Sequence, residues 1–201
     1  MTQATPKGLR LHIGLFGRRN VGKSSLLNAI LRQQVSIVSE LPGTTTDPVE
    51  KPMELLPLGP VVFIDTAGID DKGALGDLRI EKTRKILDRV DLGVIVTDGI
   101  WGEFETDVLN ELTLRTVPVI AVFNKIDELE PSMELIEQLE SEKIPTVKTS
   151  CIKKQGILDF RKALLDCAPE DFIDSPLIIG DIVGPGGMAV LVVPIDKEAP
   201  K

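Results

Sequence analysis

Apolar residues recur along this chain in two alternating rhythms. Mainly apolar runs at 11–16, 61–65, 91–97 and 117–123 read as strands buried on both faces, and shorter stretches at 53–56 and 145–148 complete a set of six. Between them, over 23–33, 78–89, 103–114, 131–141 and 155–167, apolar positions return every three or four residues, the spacing of a helix that buries one face. Strands alternating with helices predict an α/β domain: a mostly parallel six-stranded sheet with helices on both faces. After Ala168-Pro169 the helical rhythm stops. Leu177–Val183 and Met188–Ile195 then read as two apolar strands around the turn Gly184-Pro-Gly-Gly187, a β-hairpin-like tail. A lone hairpin of that apolarity cannot bury both faces, so it must pair with something.

The polar positions that interrupt this pattern fall at the carboxyl ends of the strands, where open α/β sheets bind nucleotides. Gly17-Arg-Arg-Asn-Val-Gly22-Lys23-Ser24 lies between the first strand and the first helix, the setting of a phosphate-binding loop. Gly17 and Gly22 admit backbone conformations that let consecutive N–H groups curl around phosphate oxygens, and the helix beginning near Lys23 turns its positive end to the anion. Lys23 can reach the β and γ phosphates, and the Ser24 hydroxyl is placed to ligate Mg²⁺. The candidate phosphate-binding set is Gly17, Asn20, Val21, Gly22, Lys23, Ser24 and Ser25. By itself the loop could be a chance glycine-rich turn capped by serine.

Three further motifs follow in order, each after its own strand. The run ending in Asp65-Thr-Ala-Gly68 puts a carboxylate beside the metal position, so Asp65 can hold Mg²⁺ and the Gly68 N–H can bond the γ phosphate. The run ending in Asn124-Lys125-Ile126-Asp127 selects the base. The Asp127 carboxylate can accept from guanine N1–H and its exocyclic amine, a pair of donors that adenine lacks on that edge. The Lys125 stem can cover the base plane, and Asn124 can tie this loop to the phosphate loop. Thr149-Ser150-Cys151 is placed to offer backbone N–H groups to the guanine carbonyl, which adds Ser150 and Cys151 to the set. Read singly, these residues could be turn formers and helix caps; read together, they specify a guanine nucleotide as ligand.

Composition narrows the setting. The chain of 201 residues has a formal net charge of −8, which argues against a nucleic-acid footprint of its own. No stretch is long enough to span a membrane and the N-terminus lacks a signal-peptide pattern, so a cytoplasmic location is expected. Cys151 and Cys167 fit no metal-ligand spacing and read as free thiols, with no iron–sulfur cluster expected in this stretch. Lys82-Thr-Arg-Lys85 reads as a solvated helix face, and His12 as a core or sheet-edge residue. Pro42-Gly43-Thr44-Thr45-Thr46-Asp47 lacks periodicity, as a switch ordered by γ phosphate and Mg²⁺ would, and a second switch is expected after Gly68.

From Leu11 to about Ala168 the motif set resembles the P-loop NTPase class, in particular the translation-factor-like GTPases of the TrmE, Era and Der branch. Within that branch, Pro42–Asp47 and the tail resemble HydF, the maturation GTPase of FeFe-hydrogenase. The resemblance implies a GTP-binding domain over 8–168. Residues 169–201 would then be a linker and the cut-off start of a dimerisation-type domain. It also implies GTP and GDP as ligands, GTP hydrolysis, partners in the hydrogenase maturation machinery and a possible homodimer. The same resemblance puts a metal-ligating threonine at Thr45, with Thr44 and Thr46 as rivals, and an acidic residue that could orient water at Asp77. Lys23, Thr45, Gly68 and Asp77 form the candidate catalytic set.

One position departs from the Ras-like pattern. Ile69 stands where those enzymes carry a water-orienting glutamine, and an aliphatic side chain cannot orient water. Unassisted GTPases turn over at about 10⁻⁴ to 10⁻² s⁻¹. Relatives in the resembling branch use K⁺, held by the phosphate-loop asparagine and switch carbonyls, which implies a K⁺ site at Asn20 and the backbone near Ser39–Thr44. Two alternatives stay open: an RNA-associated GTPase for tRNA modification or ribosome assembly, and a GTP-binding interaction module with negligible turnover.

Overall fold

The computed structural model describes residues 10–33, 49–66 and 86–173. Six strands, β1 (Leu11–Phe16), β2 (Val49–Leu55), β3 (Gly59–Asp65), β4 (Leu92–Thr97), β5 (Val119–Phe123) and β6 (Thr146–Lys148), form one sheet in the order β2-β3-β1-β4-β5-β6. Every pairing is parallel except β2 with β3. The helices are α1 (Lys23–Gln33), α2 (Glu103–Leu114), α3 (Met133–Ser141), α4 (Ile157–Asp166) and the short α5 (Glu170–Ile173).

The mainly apolar runs become strands because each must satisfy two helical layers at once. Successive residues alternate between two cores: Ile13, Leu15, Val61, Phe63, Val94, Val96, Ile120 and Val122 face one way with Leu26, Leu27 and Ile30 of α1 and Phe160 and Leu164 of α4. Phe16, Val62, Ile64, Ile95, Ala121 and Phe123 face the other, with Val108, Leu109 and Leu112 of α2 and Ile136 and Leu139 of α3. This alternation follows from the period of two in a strand.

Two boundaries differ from the sequence reading by more than two residues. The second strand covers Val49–Leu55 rather than 53–56, pairing from Val49↔Asp65 to Leu55↔Gly59. Glu50, Lys51 and Pro52 break the apolar run, and an edge strand tolerates them because its outer side needs no ladder donor. The helical pattern also does not stop at Pro169. Glu170–Ile173 form a further turn of helix, entered by the bond from Phe172 N–H to the Pro169 carbonyl at 2.9 Å. Proline ends one helix and is well suited to begin the next.

Of the helix expected over 78–89, Ile86 and Leu87 are helical and buried; its earlier residues, Lys82–Lys85 included, lie outside the described residues, as does the tail hairpin. His12 lies neither in the core nor at a sheet edge. It is half-buried at the amino end of the central strand β1, its N–H 2.9 Å and its Nδ1 3.2 Å from Asp91 Oδ2.

Candidate functional site

β1, β3, β4, β5 and β6 all point their carboxyl ends to one rim, and the sequence motifs meet there. The loop from Gly17 leaves β1 through two glycines that the geometry requires. Gly17 has φ +149, and a Cβ on it would stand 2.2 Å from the Val96 carbonyl oxygen. Gly22 has φ +95, and its Cβ would stand 2.3 Å from Asn124 Nδ2. Lys23 is buried and its Nζ donates to the carbonyls of Gly17 and, at 2.9 Å, Arg18, so the lysine closes the loop onto itself. Val21 is buried, whereas Asn20, Ser24 and Ser25 are exposed; Asn20 takes φ +66 at the crest of the loop.

Below the loop, the Ser24 hydroxyl donates to Asp65 Oδ2 at 3.1 Å. Asp65 is buried, and its Oδ1 has no hydrogen-bond partner among the described residues. A hydroxyl beside a carboxylate with an unpaired buried oxygen fits a small hard cation such as Mg²⁺. Ser24 and Asp65 would hold the ion, which would supply positive charge against the charge that develops on phosphate oxygens. Thr66 secures the end of β3, its N–H and hydroxyl both donating to the Leu15 carbonyl at 3.3 and 2.5 Å.

The base-side loops converge on Asn124. Its N–H donates to the Thr97 carbonyl at 2.7 Å and its Nδ2 to the Val21 carbonyl at 2.8 Å, which ties it to the phosphate loop. Its Oδ1 accepts from the Thr149 hydroxyl at 3.1 Å and from Cys151 Sγ at 3.5 Å. Lys125 takes φ +61, and its Nζ lies 3.8 Å from Glu128. The Ser150 hydroxyl, helped by Lys153 and Lys125, holds the Asp127 carboxyl below the ordinary aspartate value. Burial pushes the thiols of Cys151 and Cys167 up, and both are free.

One expectation for this end is corrected. The Ser150 N–H donates to the Gln155 carbonyl at 3.1 Å and the Thr149 N–H to the Phe123 carbonyl at 2.7 Å, so neither is available to a guanine carbonyl. The isolated bridge Ser150↔Gln155 consumes the first. Of the three residues, Cys151 alone keeps a backbone donor without an acceptor among the described residues. Ser150 serves instead through its hydroxyl, which also accepts the Lys153 N–H at 3.1 Å.

Sequence reasoning named Thr149 for its N–H but missed its hydroxyl, which fixes the orientation of Asn124, and it missed the ion pair between Arg18 and Glu105. Glu105 three residues after Gly102 is the spacing of a helix cap, but nothing in the sequence names Arg18 as its partner. Thr45, Gly68, Ile69 and Asp77, with the switch stretches around them, lie outside the described residues. Among the described residues no helix is long and apolar enough to cross a membrane, and no cluster of His, Cys, Asp and Glu could hold a metal by itself.

A mostly parallel sheet with a glycine loop between β1 and α1, a serine–aspartate pair beside it and loops that converge on Asn124 is the architecture of a P-loop GTPase. The model of the 50S ribosome-binding GTPase family matches residues 12–125, and the chain belongs to that family. It is 35% identical over 153 residues to the tRNA modification GTPase MnmE of Bacillus subtilis, covering 75% of this chain and 33% of that protein. With MnmE of Nitrosomonas europaea the identity is 37% over 161 residues, 79% of this chain and 35% of the relative. The chain thus spans about a third of the length of these curated relatives. Among solved structures, Era of Aquifex aeolicus bound to GDP·AlF₄⁻ superposes with a TM-score of 0.60 at 29% identity, covering 79% of this chain and 56% of that one. The G domain of the T. maritima FeoB iron transporter shares the fold, with a TM-score of 0.58 at 24% identity over 78% of this chain and 98% of that one. The relatives' name agrees with the RNA-associated alternative better than with hydrogenase maturation.

Proposed function

We propose that this domain is the K⁺-activated GTP switch of a larger cytoplasmic protein. Guanine would be read by Asp127, with the Lys125 stem over the base and the Cys151 N–H toward its carbonyl. The phosphates would lie in the loop from Gly17 to Ser25 against Lys23, with Mg²⁺ between Ser24, Asp65 and Thr45 and the γ phosphate near the Gly68 N–H. Asp77 is the candidate for orienting the attacking water.

The observation that carries the cation reading is Asn20. Its side chain is exposed at the crest of the phosphate loop, its backbone is held at φ +66, and it makes no hydrogen bond among the described residues. An amide oxygen there, with carbonyls near Ser39–Thr44, is a ligand set suited to a monovalent cation beside the phosphates. Such a cation would add positive charge where it develops in hydrolysis, in place of the water-orienting glutamine that Ile69 cannot replace. Phosphate release in matched KCl and NaCl tests this: faster turnover in KCl, lost on Asn20→Ala, is expected. Equal rates in the two salts would remove the cation and leave a slow, unassisted GTPase.

The relatives' names support a role in tRNA modification, with RNA contacts made by other parts of the protein, since this domain is acidic. A second reading, GTP-driven maturation of FeFe-hydrogenase with dimerisation through a following domain, keeps the support of Pro42–Asp47 and the apolar tail from Leu177. The whole protein separates them. Co-purifying tRNA and loss of a modified nucleoside on deletion support the first; an iron–sulfur absorption band and loss of hydrogenase activity support the second.

A further inference from the structure

The phosphate loop has an anchor that the nucleotide-binding residues do not supply. Arg18 Nη2 donates to Glu105 Oε2 at 2.8 Å, reaching from the loop to the first turn of α2. The Glu105 side chain is 0% exposed and that of Arg18 40%. The same Oε2 accepts the Gly102 N–H at 2.9 Å and so caps α2, while Oε1 is buried without a hydrogen-bond partner among the described residues. Gly102 lets the guanidinium approach: a Cβ there would stand 2.3 Å from Arg18 Nη2.

A fully buried carboxylate is costly unless a cation compensates it, and an uncharged side chain could cap the helix without that cost. α2 moreover packs through Val108, Leu109 and Leu112, which are buried whatever caps its first turn. The charge therefore has its use at the other end of the pair. Arg18 presents its guanidinium to Glu105 and its carbonyl to Lys23 Nζ at 2.9 Å. Holding the Arg18 side chain holds the peptide that aims the phosphate-binding lysine.

We propose that Glu105 is a positioning residue for GTP hydrolysis: through Arg18 it fixes the entry of the phosphate loop, and with it Lys23, in the geometry that receives the phosphates. The test is kcat at saturating GTP in the full chain for Arg18→Gln, Glu105→Gln, the double variant and Arg18→Lys, beside their melting temperatures. Fluorescence of Trp101, the single tryptophan, which lies 6.4 Å between ring centroids from Phe123, reports folding of each variant.

Each single glutamine variant is expected to lower kcat by about ten- to a hundredfold, the range for a misplaced catalytic framework. The double variant leaves no buried charge unpaired and is expected to regain melting temperature while kcat stays low. Arg18→Lys, which keeps the charge, is expected to recover part of kcat. A double variant that regains both stability and wild-type kcat would make the pair a structural one only and overturn the proposal. If Glu105→Gln fails to fold, the partly exposed Arg18 decides: wild-type kcat in folded Arg18→Gln overturns it equally.

Discussion

The two ends of the proposed nucleotide site are built on opposite principles. At the base end Asn124 is tied down: its N–H, Nδ2 and Oδ1 each have at least one partner, and the Thr149 and Ser150 N–H groups are spent on the scaffold. At the phosphate end, Asp65 keeps a buried oxygen without a hydrogen-bond partner among the described residues, and the ammonium of Lys23 rests on its own loop's carbonyls. A rigid base end suits a reading of shape and donors that stays the same through the cycle. A phosphate end with groups that a metal and an anion can recruit suits a ligand that changes from triphosphate to diphosphate.

The sharpest way to break this contrast is to remove the reader at the base end. Asp127→Ala leaves the Asn124 network whole but deletes the proposed acceptor for the guanine donors. Loss of GDP-over-ADP discrimination by about 10⁴ is expected, the range for a site whose hydrogen-bonding group no longer matches its ligand. Calorimetric titration with GDP and ADP checks it, and retained discrimination would place guanine recognition elsewhere.

A smaller effect is expected where the two ends touch. In Gly22→Ala the new Cβ meets Asn124 Nδ2 at 2.3 Å, and the positive φ adds roughly 1–2 kcal/mol of strain. The Asn124 side chain cannot retreat without giving up Val21 or Thr149, so nucleotide affinity should fall by about tenfold or more. Wild-type GDP affinity in this variant would show that the ends are not mechanically joined.

What the sequence made legible follows the same division. The sheet, its helices and the phosphate-loop position were readable because burial on two faces and tight turns leave marks on residue type. Val49–Glu50 and Pro52 hid an edge strand because its outer side needs no apolar pattern. The helical turn Glu170–Ile173 hid behind a proline read as a stop. Which backbone N–H groups are already taken is written in pairings such as Ser150↔Gln155, not in residue identity. The Arg18–Glu105 pair spans the chain between distant segments, so neither residue announces the other.

Acid titration sharpens the base end further. The Ser150 hydroxyl, with Lys153 and Lys125 nearby, lowers the Asp127 carboxyl below its ordinary 3.8. A depressed value keeps the charged, guanine-accepting form present above 3.8 and loses it only as pH falls through the lowered one. GDP affinity should therefore hold from neutral pH down to about pH 5 and decline only beyond the usual aspartate range. Ser150→Ala should move the decline to higher pH. A midpoint above 3.8 in the unmodified protein would contradict the hydroxyl's role.

The smallest effect is expected at Cys151. Its thiol reaches Asn124 Oδ1 at 3.5 Å, but sulfur is a weak donor and the Thr149 hydroxyl already serves the same oxygen at 3.1 Å. In the proposed site the useful group of this residue is its N–H, which Cys151→Ala preserves. Unfolding free energy should change by about 0.5 kcal/mol or less and GDP affinity by about twofold at most. Burial also pushes the thiol up, so alkylation near neutral pH should be slow. A large loss of affinity in Cys151→Ala would mean that the side chain, and not the backbone, completes the base site, and that the tied-down end of the molecule depends on its weakest hydrogen bond.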